Sequence, residues 1–529
     1  MRAPARFILV LILVLSLATG AGFGSAYDGA PKLIVIIVID QFRGDYLQRV
    51  EGSLGQGGFR LFTQGAYFDN CHYDYANTET APGHATIATG AYSNGHGIFS
   101  NKIWDEEAGW IASVDDSKAK AVGLPGNPPS ASPKNLLSDT LGDELKLATH
   151  NQSRVYTVSL KDRAAILTGG FSADGAYWID QASGTWITST FYAKELPPWV
   201  QQFNAAGANK YWDKDWKDAS GKVLQHTTHV PGAKFYDVVG GTGLGDDYEF
   251  EFARALVNNT GLGSGPATDL LVISLSPNDI LGHRLGPDDP QMQALWLDMD
   301  RQIAGFLTFV GQRLGMANVW GVLTADHGIA PISEQVLEKN RIPGKRVDVP
   351  ALMARLNVAI SKQLGQPASE FALADEYDFQ HIFLNQEQFA SKKISEADAE
   401  RMVGEELLKL GYVAYYTKSD IKMGRVPADE FGLRISHSYS PAGGWWLLGL
   451  QPAFALPGNS GTSHGSPNFY DTHVPLAFFG SAFEPGVYHG RCEAVDMAPT
   501  LAVLLGINAP AKASGRVLTE AIKNPRSAR

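Results

Sequence analysis

Short, almost continuous runs of apolar residues, rich in β-branched side chains, recur along the chain. The first of them, "KLIVIIVID", has no polar residue between Leu33 and Ile39. Runs of this kind are typical of strands that are buried on both faces of a parallel sheet. They predict five strands, at residues 32–40, 154–160, 269–276, 319–326 and 473–480.

Helix-like segments lie between the predicted strands. Two of them are "DPQMQALWLDMDRQIAGFLTFVGQRL" (residues 289–314) and "AVDMAPTLAVLLGI" (residues 494–507). Alternation of strands with helices is typical of the α/β class, in which a largely parallel central sheet carries helices on both faces. Ligands of such sheets gather at the carboxyl ends of the strands. The polar residues that follow the predicted strands are therefore candidate site residues.

Three stretches interrupt this alternation. The first is rich in Pro, Ser and Gly, the second holds "NKYWDKDWKDASGK" and a Gly-rich turn, and the third contains short mixed elements. We interpret them as insertions on one sheet, at residues 105–140, 205–250 and 336–458. The sequence therefore predicts a single domain over residues 27–529, with its core at about 30–105, 140–205, 250–335 and 460–520.

A basic, an apolar and a small-residue segment follow one another at the N-terminus. Arg2 and Arg6 precede "FILVLILVLSL", which leads into "ATGAGFGSA". This order predicts a secretory signal peptide over residues 1–26, cleaved after Ala21 or Ala26. The apolar run is shorter than the roughly 20 residues that span a bilayer, and no later segment of the sequence is long and apolar enough. We therefore expect a periplasmic or secreted protein without a stable membrane anchor.

The composition is that of a folded globular protein with an acidic balance. Of the 529 residues, 44% are hydrophobic and 19% are charged, and the formal net charge is -11. Because acidic and basic residues are interspersed, the sequence shows no basic cluster of the kind that binds nucleic acid or an anionic membrane. Any anionic substrate must therefore meet positive charge that is local to its site.

The two cysteines of the sequence, Cys71 and Cys492, exclude a Cys-x-x-Cys motif. An oxidising compartment favours a disulfide between them. Two buried thiols are equally compatible with the sequence, which leaves this choice open.

Six residues that could bind a metal ion follow predicted strands or lie in the loop before the last strand. Three are carboxylates and three are imidazoles, a set that suits zinc and matches manganese or iron less well. Singly, an Asp after a strand is usually a helix cap, and a loop His is usually solvated or hydrogen-bonded. The order and spacing of the whole set are hard to explain as separate caps. The six are Asp40, Asp279 and His283 in "NDILGH", Asp326 and His327 in "TADHG", and His464 in "GTSHG".

A threonine marks the start of another predicted helix. In "NTETAPGHATIATG", Pro82 is typical of a first turn and Gly90 of a helix end, so Thr80 lies among the free N–H groups of the helix N-terminus. This position suits a phosphate or sulfate group, and metal coordination would lower the hydroxyl pKa and make Thr80 a nucleophile. The alternative for Thr80 is a plain N-cap. We interpret Thr78 as structural and His84 as a packing or supporting residue.

The order of these motifs resembles the alkaline phosphatase superfamily. It comprises Asp40, "TETAPGH", "GHGIFSNKIWD", "DILGHRLGP", "TADHG" and "SHGS", over about residues 30–105, 140–335 and 460–520. Within that superfamily, "SLKDRAAI" is similar to the phosphate-irrepressible, monomeric alkaline phosphatases of the PafA and PhoK type. The resemblance implies an alkaline-phosphatase-like sandwich, with a largely parallel central sheet, helices on both faces and inserted subdomains.

The resemblance also implies a site with two zinc ions. Asn101 would donate to a phosphoryl oxygen, and Lys161 and Arg163 would contact the transferred group. A phosphate monoester carries one more negative charge than a diester, so this pair favours monoesters, and a planar Arg meets two oxygens at once. Diesterases of the superfamily generally lack the pair. One zinc ion would be bound by Asp279, His283 and His464, and the other by Asp40, Asp326, His327 and the Thr80 oxygen.

The predicted function is that of an exported, zinc-dependent alkaline phosphatase, which hydrolyses small-molecule phosphate monoesters of broad range through a phospho-Thr80 intermediate. A phosphodiesterase or nucleotide pyrophosphatase shares the metal ligands and is the first alternative, against which Lys161 and Arg163 argue. The second alternative is a noncatalytic zinc-binding protein on a decayed enzyme core. A sulfatase is excluded, because it would need Cys or Ser at position 80.

Two further expectations concern assembly and structural metal. By resemblance we expect a monomer. The Asp-rich stretch "DKDWKDASG" (residues 213–221) could offer a structural Ca²⁺ site, although it lacks the spacing of an EF-hand loop.

Overall fold

The computed structural model describes residues 29–105, 108–367, 373–378 and 380–523. The signal peptide predicted at residues 1–26 lies outside the described residues. In the part of the chain that is described, no helix is both long and apolar enough to reach across a bilayer.

Strands and helices alternate through most of the described chain. In chain order the strands are β1 (Leu33–Ile39), β2 (Ala66–His72), β3 (Lys102–Asp105), β4 (Gly109–Ala112), β5 (Asp115–Val122), β6 (Pro129–Ala131), β7 (Val155–Ser159), β8 (Gly175–Ile179), β9 (Trp186–Ser189), β10 (Asp215–Lys217), β11 (Val223–His226), β12 (Asp269–Leu275), β13 (Val319–Thr324), β14 (Lys345–Val347), β15 (Leu373–Asp378), β16 (His381–Leu384), β17 (Ala414–Thr417), β18 (Trp446–Leu450), β19 (Ala455–Pro457), β20 (His473–Phe479), β21 (Gly486–Tyr488) and β22 (Cys492–Glu493). The helices are α1 (Tyr46–Val50), α2 (Phe59–Thr63), α3 (Thr80–Thr89), α4 (Ser93–His96), α5 (Leu141–Ala148), α6 (Asp162–Gly169), α7 (Pro198–Ala206), α8 (Phe235–Val238), α9 (Gly243–Thr260), α10 (Pro277–Leu285), α11 (Pro290–Leu314), α12 (Ser333–Asn340), α13 (Val349–Gln363), α14 (Gln386–Ser391), α15 (Glu396–Lys409), α16 (Lys418–Lys422), α17 (Glu430–His437), α18 (Phe469–Thr472) and α19 (Met497–Leu505).

One large sheet forms the centre of the molecule. Within the described residues it has twelve strands, in the order β21, β2, β20, β13, β1, β12, β7, β8, β9, β5 and β6, with β22 beside β2. The five neighbours from β13 to β8 are parallel to one another, whereas β20 runs antiparallel to β13. The central sheet is therefore mostly parallel, as the sequence predicts, and each of the five apolar runs forms one of its strands.

Strand β1 lies in the middle of the parallel block and is buried on both faces. Its seven residues are between 0% and 2% exposed, which explains why its sequence lacks the alternation of a half-exposed strand. Its register pairs Ile36 with Val272 on β12 and with Val322 on β13. Because these parallel strands end at the same edge of the sheet, the residues that follow them lie close together.

The long helix α11 has an amphipathic pattern. It begins at Pro290, and the side chain of Asp289 caps it by accepting a hydrogen bond from the backbone N–H of Gln291. Its buried residues recur at intervals of three or four, which is the spacing of one helix face. They include Met292, Trp296, Met299, Ile303 and Phe306.

Helix α19 is shorter than the helix predicted at residues 494–507. A short 3-10 turn precedes Met497, and Gly506, with φ 67°, ends the helix in the left-handed conformation. The apolar run thus extends beyond the helix that it forms.

The three segments interpreted as insertions build smaller elements beside the parallel strands. In the first segment, β5 pairs with β9 and β6 pairs with β5, so the two strands extend the central sheet. The second carries the β10–β11 hairpin and the start of α9. The third contains an antiparallel sheet in the order β15, β16, β18, β17. That sheet lies against its own apolar cluster, which includes Leu356, Val403, Leu407 and Leu447.

Cys71 and Cys492 face each other across two parallel strands. Cys71 on β2 is the register partner of Cys492 on β22, and both side chains are buried. Neighbouring strands lie about 4.8 Å apart, which is within the Cα separation that a disulfide bridges. Burial, together with the adjacent Cys492, raises the pKa of the Cys71 thiol. Strand pairing therefore places the two sulfur atoms side by side.

We expect the two cysteines to form a disulfide when the chain folds in an oxidising compartment, because the strand pairing already holds them in register. The intact mass under non-reducing conditions should then be lower, by two hydrogen atoms, than the mass after reduction. Replacing Cys71 by Ser should also remove the effect of reductant on the unfolding temperature. Complete alkylation of both thiols in the denatured, unreduced protein would contradict this prediction.

Candidate metal centre and nucleophile

The loops at the carboxyl ends of β1, β12 and β13 meet at one edge of the sheet. The six ligand-type side chains that the sequence singles out all lie there. Among the described residues they form two groups, and within each group the ligand atoms lie within 4.8 Å of one another. This is the division that the resemblance implies. The first group is Asp279, His283 and His464, and the second group is Asp40, Asp326 and His327.

Each of the three imidazoles is oriented through its Nδ1 atom. In every case Nδ1 lies 2.7 to 2.9 Å from a backbone carbonyl oxygen. Since a carbonyl can only accept, Nδ1 must carry the proton, and the neutral ring then presents the lone pair of Nε2 to a ligand. The pairs are His283 with Thr462, His327 with Gly328, and His464 with Thr78.

Burial keeps two of these rings uncharged. It lowers the pKa of His327, and together with the nearby rings of His327 and His283 it lowers the pKa of His464. Burial also acts on His283, but the neighbouring Asp279 outweighs it and raises the pKa of that ring. Neutral imidazole is the form that binds metal ions, so His327 and His464 are already in the binding form.

Several buried atoms of the second group lack the hydrogen bonds that buried polar atoms normally make. Asp40 Oδ1 and His327 Nε2 have no hydrogen-bond partner within the described chain, and Asp326 Oδ2 likewise makes no hydrogen bond there, although Nδ1 of His84 lies 3.2 Å from it. Yet Nε2 of His327 lies 3.5 Å from that Asp40 oxygen and 3.4 Å from that Asp326 oxygen. Oxygen and nitrogen donors that converge in this way fit a divalent cation such as zinc.

The carboxylates of the second group affect each other. Burial and the nearby Asp326 raise the pKa of Asp40 well above its ordinary value. Burial acts in the same direction on Asp326, but His327 and His84 outweigh it and hold the pKa of that carboxyl below its usual range. Ionisation of both carboxyls therefore requires positive charge close to both.

Helix α3 begins at Thr80, as the sequence predicts. Glu79 is its N-cap, and Gly90, with φ 65°, ends it in the left-handed conformation. The Thr80 side chain is buried, and Nζ of Lys161 donates to its Oγ1 at 3.4 Å. A hydroxyl oxygen at a helix N-terminus, beside a cation, is a favourable place for a phosphoryl group.

Thr78 connects the segment of Thr80 to the loop of His464. Its hydroxyl donates to the backbone carbonyl of Ser466 at 2.9 Å. Its own carbonyl accepts the Nδ1 proton of His464 at 2.7 Å. These contacts are those of a structural residue.

His84 lies beneath Thr80, one turn further along α3. Its Nδ1 is 2.8 Å from the Thr80 carbonyl and 3.2 Å from Asp326 Oδ2, and its Nε2 is 2.7 Å from the hydroxyl of Ser274. His84 therefore joins α3 to β12 and to a ligand of the second group.

Asn101 lies against the first turn of α3. Its Oδ1 accepts the backbone N–H of Ala81 at 2.9 Å, and its own backbone N–H donates to Oε2 of Glu79 at 2.9 Å. Because a backbone N–H engages the side-chain oxygen, the amide nitrogen is the atom that can donate to a ligand near Thr80.

Lys161, in the loop after β7, links the two ligand groups. Its Nζ lies 2.6 Å from Asp40 Oδ2 and 2.5 Å from Asp279 Oδ2. Although burial lowers the pKa of Lys161, the carboxylates of Asp279 and Asp40 outweigh it and raise that pKa above its ordinary value. The ammonium group is therefore charged and is in contact with Asp40, Asp279 and Thr80.

Arg163, two residues further on, lies in the first turn of α6. Its Nη1 is 3.8 Å from Asp162 Oδ1, and its Nε is buried without a hydrogen-bond partner in the part of the chain that is described. Burial lowers the pKa of the guanidinium, but Tyr236 and Asp162 outweigh it and raise that pKa. This loosely paired cation is available to an anion.

Gln41 also lies at the candidate site, although the sequence motifs do not include it. It follows Asp40 directly and is fully buried. Its side-chain Nε2 donates to Asp279 Oδ1 at 2.6 Å, and its backbone N–H donates to Asp326 Oδ1 at 3.0 Å. The signal in the sequence was a polar residue directly after a ligand, in "VIDQF".

Glu249 is a second residue that the sequence motifs do not include, and it supports two loops of the candidate site at once. Its carboxylate accepts the backbone N–H of Leu160 at 2.9 Å and that of Ser276 at 3.3 Å. These residues precede Lys161 and α10, so Glu249 ties the end of β7 to the end of β12. It belongs to α9, in a segment interpreted as an insertion, and no local pattern marked it.

The Asp-rich stretch at residues 213–221 does not gather its carboxylates. Asp215 contacts Nδ1 of His226 at 2.8 Å across the β10–β11 hairpin, and Asp218 accepts from the hydroxyl of Ser220 in its own turn. Over the described ranges, the groups of three or more ligand-type side chains are the two of the candidate metal centre. The calcium site expected here therefore finds no support in those ranges.

A profile of one protein family covers most of this site. The family is "Type I phosphodiesterase / nucleotide pyrophosphatase", and it matches residues 34–406. That range holds five of the six candidate ligands, from Asp40 to His327, together with Thr80, Asn101 and the Lys161 loop.

Individual relatives resemble the chain over nearly its whole length. "Alkaline phosphatase PhoV" of Synechococcus elongatus is 32% identical over 93% of both chains. "Alkaline phosphatase PafA" of Elizabethkingia meningoseptica is 32% identical over 99% of this chain and 100% of that protein. The crystal structure of wild-type PafA matches with a TM-score of 0.83 at 29% identity, over 93% of this chain and 99% of that one. The chain therefore belongs to the type I phosphodiesterase / nucleotide pyrophosphatase family, within the alkaline phosphatase superfamily.

Proposed function

We propose that this protein is a zinc-dependent alkaline phosphatase that hydrolyses phosphate monoesters through a phospho-Thr80 intermediate. One observation carries the proposal: carboxylates from both ligand groups and the hydroxyl of Thr80 all contact the ammonium group of Lys161. PhoV and PafA, which resemble this chain over nearly its full length, are named as alkaline phosphatases and support the same activity.

Two zinc ions fit the donor sets of the two groups. Bound there, they would supply Lewis-acid charge and lower the pKa of a coordinated oxygen. The ligands of one ion would be Asp279, His283 and His464, and those of the other Asp40, Asp326, His327 and the Oγ1 atom of Thr80.

The residues of the chain supply the nucleophile and hold the phosphoryl group. Oγ1 of Thr80 attacks phosphorus, the new O–P bond forms in line with the bond that breaks, and the alcohol of the substrate leaves. Water then cleaves phospho-Thr80, which releases phosphate and restores the hydroxyl. Asn101, Lys161 and Arg163 donate to the nonbridging oxygens, where negative charge accumulates.

Selectivity for monoesters follows from the two cations. A monoester dianion gains more from Lys161 and Arg163 than a diester monoanion does. These residues bind the phosphoryl group and do not recognise the alcohol portion of the substrate. We therefore infer small-molecule substrates of broad range.

A phosphodiesterase or nucleotide pyrophosphatase is the second candidate, because the matching family profile carries that description. It would use the same metal ligands and Thr80. We expect the two cations near the phosphoryl position, Lys161 and Arg163, to determine which of the two activities the protein has. A noncatalytic zinc-binding protein is disfavoured, since both ligand groups and the candidate nucleophile are assembled together.

The setting of the enzyme also belongs to the proposal. We infer export to the periplasm or the medium from the signal-like residues 1–26. A single catalytic domain over residues 27–529, acting as a monomer, is inferred from the resemblance.

Replacing Thr80 by Ala should lower turnover of p-nitrophenyl phosphate by at least about 10³-fold, because the nucleophile is removed. Alanine is favourable in a helix, so α3 and the content of bound zinc should be retained. Thr80→Ser is the matched control, since it keeps a hydroxyl and should remain active and yield a phosphorylated peptide by mass spectrometry. Near-normal turnover of Thr80→Ala would refute the nucleophile assignment.

Replacing Arg163 by Ala should lower kcat/KM for p-nitrophenyl phosphate by about 10- to 100-fold, as expected for lost hydrogen bonds to a charged group. The effect on bis-p-nitrophenyl phosphate should be much smaller, so the ratio of the two specificity constants falls. Arg425→Ala, which removes an exposed arginine paired with Asp420, should leave both constants unchanged. Equal losses for the two substrates would favour the phosphodiesterase candidate.

A further inference from the structure

Gln41 donates hydrogen bonds to one carboxylate of each ligand group. It also directly follows a residue that carries a third carboxylate. Its side-chain Nε2 donates to Asp279 Oδ1 at 2.6 Å, and its backbone N–H donates to Asp326 Oδ1 at 3.0 Å. The preceding residue, Asp40, belongs to the group of Asp326. One buried residue thus connects the two halves of the candidate metal centre.

The backbone of Gln41 is strained. Its φ angle is 66°, in the left-handed region that residues other than glycine rarely adopt. Strain of this kind persists where surrounding contacts hold it, and it is concentrated at functional sites. Here the contacts that hold it are the two hydrogen bonds to Asp279 and Asp326.

Gly282 leaves the space that the Gln41 amide occupies. A Cβ atom on Gly282 would lie 2.1 Å from Oε1 of Gln41, which is far inside van der Waals contact. Glycine is a poor helix former, so its presence within α10, between Asp279 and His283, requires a reason. The close approach of the amide supplies that reason.

The hydrogen-bonding chemistry fixes the orientation of this amide. The ionised carboxylate of Asp279 can only accept, so the Gln41 nitrogen must face it. The amide oxygen then points to Gly282, and it has no hydrogen-bond partner among the described residues. An apolar side chain of the same size would fill the space, but it would not orient Asp279.

We propose that Gln41 is a positioning residue that holds the carboxylates of Asp279 and Asp326 in fixed positions relative to each other. It thereby sets the spacing of the two metal sites. It acts through those carboxylates and does not touch the substrate. The inference rests on the proposed function, because it takes both ligand groups to bind zinc.

The test is a double-mutant cycle on zinc affinity. Purified wild-type protein, Gln41→Ala, Gly282→Ala and the double variant are titrated with zinc in competition with a chromophoric chelator. Loss of an orienting partner typically weakens metal binding by 10- to 100-fold, and we expect each single variant to show about this loss. The double variant should bind no more weakly than Gln41→Ala, since removal of the amide leaves room for the new methyl group.

Two controls separate positioning from packing. Gly305→Ala adds a methyl group to α11, where its nearest neighbour is the flexible end of Arg254 at 3.3 Å, and it should leave zinc affinity unchanged. Gln41→Leu fills the space without a donor, and it should lose affinity as Gln41→Ala does. Recovery of wild-type affinity in Gln41→Leu would assign Gln41 to packing and overturn the proposal.

The remaining outcomes test the positioning role of Gln41 and the proposed function separately. Unchanged zinc affinity in folded Gln41→Ala, or additive losses in the double variant, would overturn the proposal. If Gln41→Ala fails to fold, Gly282→Ala probes the same contact with Gln41 in place, and normal affinity in that variant would overturn it too. Failure of the wild-type protein to bind two zinc ions would instead refute the proposed function.

Discussion

The burial of three carboxylates in one small region is the constraint on which the rest of the site depends. Asp40, Asp279 and Asp326 are at most 5% exposed, and both their mutual repulsion and their loss of water oppose ionisation. Lys161 offsets part of this cost, because its ammonium group contacts Asp40 and Asp279. Two divalent cations would offset the remainder. The same positive charge would bind the phosphoryl dianion, so the requirement for stability and the requirement for catalysis coincide.

The scaffold holds this charge cluster through contacts between distant parts of the chain. Glu249 ties the ends of β7 and β12 together, and Asn278 donates to the backbone carbonyl of Asp40 at 2.8 Å. The segment at residues 336–458 also takes part. Arg346 donates to the carbonyl of Gly461 at 2.9 Å and pairs with Glu334 at 2.7 Å. It thereby fixes the loop whose next residue, Thr462, orients His283.

Those parts of the fold that have a local signature could be predicted from the sequence. Strands β1, β7, β12, β13 and β20 are largely buried and mostly apolar, and α3 carries its own start and stop signals. The sequence patterns did not predict strands β2, β8 and β9. Of these, β2 and β9, with "AYFDNCH" and "WITS", mix polar and apolar residues. The antiparallel direction of β20 depends on chain topology, which no local pattern records. The candidate ligands could be proposed from the sequence because their types and order are specific. Gln41 and Glu249 make contacts between residues far apart in sequence, which become visible once the chain is folded.

The most direct measurement is a crystal structure of the purified protein, with diffraction data collected on both sides of the zinc absorption edge. The account predicts two anomalous peaks, one among Asp279, His283 and His464 and one among Asp40, Asp326 and His327, with zinc to nitrogen distances of about 2.0–2.1 Å. Thr80 Oγ1 should lie beside the second peak. Zinc-loaded crystals in which the two ligand groups hold no anomalous peak, or hold a single ion, would contradict the central claim.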